Sequence, residues 1–203
     1  MNNTKIAEFW NWFIANEHTF YYGTEEDTLR EELFVELDAK IKEISEDLAF
    51  EFSPILEGEV KQFTLSADGI RDVFPSVISL IEQAPKHPHW EFVAFRQRID
   101  TEDLTIQMGD VEMDVSDIYF RFAEVDDTLG IELNIRGFED SDQEKMAVFI
   151  LLDSLIGEYD VVMQIGWIEW VALDERKIGQ LSTFVKLRDL VDKRKESGLY
   201  NHN

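Results

Sequence analysis

Val111-Glu-Met-Asp-Val-Ser-Asp-Ile-Tyr-Phe-Arg-Phe-Ala-Glu-Val-Asp-Asp-Thr-Leu-Gly-Ile-Glu-Leu-Asn-Ile135 is the stretch on which the fold class turns. Val111, Met113 and Val115 alternate with Glu112 and Asp114. Ile118, Phe120 and Phe122 alternate with Tyr119 and Arg121. After Asp126-Asp127-Thr128, which reads as a turn, Leu129, Ile131, Leu133 and Ile135 resume the alternation. Successive side chains on a strand point to opposite faces, so an apolar residue at every second position marks a sheet with one buried and one wet face. Runs of this kind joined by short polar turns predict antiparallel hairpins.

Toward the C-terminus, Ser141-Asp-Gln-Glu144 has the capping-box pattern and opens a helix through about Ile156, which Gly157 ends. A long apolar strand is expected from Val161 to Leu173, then a basic helix from Leu181 to Lys195 and a frayed tail over 197–203. Toward the N-terminus, Trp90 to Arg98 and Leu104 to Met108 read as strands. Ile70 to Ile81 has helical spacing around Pro75, and Leu48–Phe52 with Val60–Leu65 forms a hairpin across Pro54 and Gly58. Two helices come first. One runs from Lys5 to Asn16, with Ile6, Phe9, Trp10 and Phe13 on one face. The other starts at Thr24-Glu-Glu-Asp27 and carries a Leu29, Leu33, Leu37, Ile41, Ile44 stripe. The order predicts an α+β fold, a mainly antiparallel sheet with helices packed predominantly on one face. It reads as a single domain over residues 1–203, with an N-terminal helical subregion at 1–46 or a division near residue 57 as possible subdivisions.

The 203 residues include 43 acids against 19 bases, a formal net charge of -24, no cysteine, and 15 Phe, 5 Trp and 5 Tyr. Disordered acidic chains are poor in aromatics, so this composition implies a packed core. Disulfide scaffolds, thiolate zinc sites and cysteine nucleophiles are excluded. Contact with phosphate needs concentrated cations, so direct binding to nucleic acid or to a membrane surface is not expected. The charge is uneven: residues 100–160 hold 18 acids and 3 bases, whereas residues 174–203 hold 5 acids and 7 bases. Met1 to Trp10 lacks the cationic opening and apolar stretch of a secretory signal. The apolar stretch Met146–Ile156 is broken by Asp153 and too short for a bilayer. The expected location is cytoplasmic.

Four groups of residues are candidates for chemistry. His87, His89 and Glu91 would project to one side of an extended segment, as metal ligands require; a solvated turn is the competing reading. Asp110, Glu112 and Asp114 would line one strand face, as a site for a partner or a hard cation, or simply as a charged, aggregation-resistant edge. Asp153 sits at the margin of an apolar helix face and needs a partner, for which Arg96 and Arg98 are the natural choices. Glu158 and Asp160 would be available to the same arginines. Asp153, Glu158, Arg96 and Arg98 are thus the candidate catalytic set, against a structural ion pair. Trp10, Trp12, Trp167 and Trp170 are either core or an aromatic binding surface. No Gly-x-Ser-x-Gly, Gly-x-x-x-x-Gly-Lys, Gly-x-Gly-x-x-Gly or His-Glu-x-x-His pattern occurs, and no cofactor is expected.

Phe9-Trp-Asn-Trp-Phe13, Phe50-Glu-Phe52, Ser66-Ala-Asp-Gly69, Ala84-Pro85, Trp90-Glu-Phe-Val-Ala-Phe-Arg96, Leu151-Leu-Asp153 and Gly157-Glu-Tyr-Asp160 cover most of residues 9–160. As a set they resemble a family of uncharacterised bacterial proteins described only as a domain of unknown function. The resemblance implies a compact domain in a bacterial cytoplasm and brings no activity with it. From the residues themselves, the expected function is a non-enzymatic binding or regulatory protein that engages a basic protein. An immunity-like or inhibitor-like protein is one version. A carboxylate- or metal-dependent hydrolase and a structural or oligomerising module are the alternatives, and the oligomeric state stays open.

Overall fold

The structure, a computed structural model, describes residues 3–99 and 103–197. The fold is α+β, as expected. Where the sequence reads as one domain, the contacts gather into two compact units, residues 1–96 and 97–203. The boundary considered near residue 57 falls inside the first unit. The helical subregion 1–46 does not stand apart there, because its aromatic stripe needs the following strands to cover it.

In the first unit, α1 (Asn3–Gly23) and α2 (Asp27–Lys42) precede β1 (Ala49–Phe52), β2 (Lys61–Ser66), α3 (Phe74–Glu82) and β3 (Trp90–Ala94). The sheet order is β1-β2-β3, with β1 antiparallel and β3 parallel to β2. The parallel pair follows from the crossover through α3, whose Pro75 lies in the first turn, where a missing N–H costs nothing. Phe13 stacks on Phe63 at 4.9 Å, Trp10 meets Phe92 at 4.6 Å, and Phe34 of α2 meets Phe50 at 5.3 Å. The helices thus cover one sheet face. Glu51, Gln62, Thr64 and Glu91 belong to the other.

In the second unit, β4 (Thr105–Met108) and β5 (Val111–Asp114) form a hairpin. β6 (Ile118–Val125), β7 (Thr128–Ile135), β8 (Ile165–Ala172) and the two-residue β9 (Ser182–Thr183) form a sheet of order β8-β7-β6-β9. α4 (Asp142–Ile156) and α5 (Glu158–Gln164) carry the chain from β7 to a parallel β8, and α6 (Lys186–Glu196) follows. Ile118, Phe120, Leu129, Ile131, Leu133 and Ile135 bury one sheet face against Ala147, Val148, Leu151, Leu152 and Leu155 of α4 and against Leu187 and Val191 of α6. On the opposite face the Trp167 indole lies on Gly130, where a Cβ atom would come within 2.2 Å of the ring.

Several sequence expectations are corrected. The apolar run from Val161 is helical through Gln164 before it becomes β8. Gly157 (φ 89°) restarts the chain, and Glu158 and Asp160 favour a helix first turn. The aromatic run His18–Tyr22 continues α1, because Phe20 and Tyr21 extend its buried face. The Thr24 hydroxyl does not cap α2; it donates back to the Phe20 carbonyl at 2.8 Å. Strand β3 stops at Ala94, since Phe95 has φ 65°. The tail expected to fray lies, beyond Ser197, outside the described residues.

Candidate functional site

The candidate catalytic set divides between the units. Arg96 belongs to the first, where its guanidinium donates to Glu51 and, at 3.0 Å, to Asp68. Burial opposes its charge, but those two carboxylates outweigh the burial and raise its pKa above the ordinary arginine range. Arg98 belongs to the second unit and donates to both oxygens of Asp192 at 2.8 and 3.0 Å. Asp153 is half-buried on α4 and Glu158 is fully buried at the start of α5. Asp160, expected to face the arginines, accepts from Lys195 at 2.8 Å.

The histidine group is engaged locally. His89 Nδ1 lies 3.2 Å from the Glu59 carbonyl, the His89 amide donates to His87 Nδ1, and Gln62 donates to Glu91 at 2.7 Å. Among the described residues, no three His, Asp or Glu side chains gather as metal ligands would.

The hairpin acids do not form one row. Asp110 occupies the turn after Gly109, and only Glu112 and Asp114 lie on β5. Asp114 accepts from Thr105 at 2.6 Å and from the Ser116 amide at 2.8 Å, where it caps a short turn. The Ser116 and Thr105 hydroxyls, with that amide, hold its carboxyl below the usual range. It is a structural carboxylate, whereas Asp110 and Glu112 are exposed to solvent. The hairpin turn sits against the first turn of α4, with the Cβ position of Gly109 3.5 Å from Gln143.

Beside that turn, α4 shows an outward apolar stripe that its periodicity does not reveal. Met146 is 56% exposed, Phe149 44% and Ile150 36%. At spacings of three and four they share a face with Asp142 before them and Asp153 after them. Phe149 packs edge-on against Trp170 at 5.6 Å, and Trp170 stacks on Phe138 at 6.2 Å. Periodicity alone missed the stripe because α4 is apolar nearly all round. The signal available was that an apolar arc wider than one sheet can cover leaves residues over.

Two buried cations also escaped the sequence reading. Lys61, 0% exposed, donates to the Tyr21 carbonyl at 3.1 Å, to the Thr24 hydroxyl at 2.5 Å and to Glu25. Arg194 of α6 joins Gln164, the Asp127 carbonyl and Glu124, tying the β6–β7 turn to α5. Asp160 Oδ1 and Gln164 Nε2 are buried there with no hydrogen-bond partner among the described residues. The first unit also has a shallow cleft of about 380 Å³ bordered by Asp38, Glu46, Asp47 and Asp68 over Phe50 and Ile70. Its lining also includes Lys42, which pairs with Asp38 at 2.7 Å.

Of the four tryptophans considered as a surface, Trp10 is buried, Trp12 and Trp170 are half-buried, and Trp167 is 45% exposed. No described helix is long and apolar enough to cross a membrane. Compared with known proteins, the chain matches no protein family, no curated protein and no solved structure.

Proposed function

We propose that the chain is a non-enzymatic binding or regulatory protein of a bacterial cytoplasm, whose acidic surface engages a basic protein. The observation that carries this reading is how the cations are used in the second unit. Arg98 pairs with Asp192, Arg121 with Glu132, Arg136 with Asp117 and Glu175, Lys145 with Asp140, Arg194 with Glu124, and Lys195 with Asp160. These pairs neutralise those six cations, while among the described residues Asp110, Glu112, Glu139 and Asp142 are exposed and form no salt bridge. A surface left negative in this way steers and orients a cationic partner. An inhibitor-like role, covering the basic face of another protein, is the most concrete form.

The test is affinity capture followed by reconstitution with the purified partner at about 0.05 and 0.5 M salt, where the Debye length falls roughly threefold. The expected partner is basic and binds at least about tenfold more weakly at the higher salt. An affinity that does not change with salt would sink the proposal.

A further inference from the structure

We propose that the outward stripe of α4 is the docking site for a basic amphipathic helix of a partner protein. This rests on the acidic-face reading above and gives it an address. The stripe presents Met146, Phe149 and Ile150 at the i, i+3, i+4 spacing that receives the apolar face of a second helix. Methionine at one end supplies an unbranched, polarizable contact that adapts to the side chains laid on it. Phe149 is steadied from behind by Trp170, so it is a pre-positioned anchor.

Charge selects the occupant. Asp142 opens the stripe on α4 itself, Glu139 precedes it, and the β4–β5 turn that lies against the first helical turn carries Asp110. An apolar helix face flanked by Lys or Arg satisfies both the stripe and this rim. A second copy of the chain satisfies only the stripe, because its α4 face brings further carboxylates to the rim and its Lys145 is already paired with Asp140. An anionic membrane is repelled for the same reason.

The experiment uses the full chain, isotope-labelled for amide NMR, and two synthetic peptides of about 18 residues, or about five helical turns. Both have the same Leu and Lys content. In one, the Leu residues fall on a single helical face; in the other they are scattered around it. The first is expected to bind about tenfold more tightly than the second, a difference of ~1.4 kcal/mol, and to shift residues 142–153 and the 109–112 turn. The double substitution Met146→Ser with Ile150→Ser should abolish that tenfold preference, while Asp110→Lys weakens both peptides. Both serines replace solvent-facing side chains, and the amide spectrum outside α4 checks that the fold is kept; Met146→Lys alone is the second variant.

Equal binding of the two peptides, with shifts spread over other acids such as those of α2, overturns the α4 site and leaves the acidic-face reading standing. Failure of both peptides to bind at low salt overturns the two together. Self-association of the chain alone that Met146→Ser with Ile150→Ser abolishes would make a second copy the occupant and overturn the basic helix.

Discussion

Lys61 shows what one residue can decide. Its ammonium sits at the C-terminal end of α1, among a backbone carbonyl, a hydroxyl and a carboxylate, where the helix dipole favours positive charge. The three acceptors join α1 and its following turn to β2. Lys61→Met keeps the length of the side chain and leaves the Tyr21 carbonyl without its donor. The expected cost is about 2 kcal/mol, read as a lower urea midpoint for the first unit. Glu25 is 44% exposed at its side chain, so Glu25→Gln should cost less than about 1 kcal/mol. An equal loss in both variants would mean that the ion pair, and not the carbonyl contact, holds α1 in place. A lysine within an apolar strand reads as an edge or wet-face residue until its neighbours are known, so Lys61 carries no local signal of its burial.

At the scale of elements, the capping box of α4 was legible from Ser141 and Glu144 alone, since both partners lie within one turn. The structure adds the Glu139 amide, which donates to Glu144 at 3.0 Å beside the Ser141 amide at 2.9 Å and the Ser141 hydroxyl at 2.7 Å. Burial pushes the Glu144 carboxyl up, but the donors of Ser141 and Glu139 outweigh it, and the group sits below the usual range. A carboxyl depressed in the folded state adds stability above its unfolded pKa, about 4.3, and loses it as pH falls through the lower folded value. Glu144→Gln should therefore cost about 1 kcal/mol at pH 7. The gap between variant and parent should narrow in urea titrations carried below about pH 4. A gap that stays constant from neutral to acid pH would assign the loss to packing. The α5 helix was not legible in the same way. Val161-Val-Met163 suits a strand or a helix equally, and the choice was made by Gly157, Glu158 and Asp160 just ahead of it.

Across the whole molecule, 43 acids against 19 bases make self-repulsion a destabilising force. Raising sodium chloride from about 0.05 to 0.5 M should raise the thermal midpoint by about 3–5 °C, followed by circular dichroism, because screening relieves repulsion between exposed acids. A midpoint that falls with salt would show that the ion pairs outweigh the surplus. The sequence by itself determined what depends on near neighbours: the period-two strands β5 to β7, the α4 cap, the α+β class and the acidic surface. Each is written within a few residues by side-chain alternation, local hydrogen bonding or simple charge count. The tertiary structure decided what depends on residues far apart in the chain. It divided the contacts at residue 96, made β3 and β8 parallel through helical crossovers, enclosed Lys61 and Arg194, and left Met146, Phe149 and Ile150 uncovered. Burial is a property of what the rest of the chain brings to a side chain, and no local pattern encodes that.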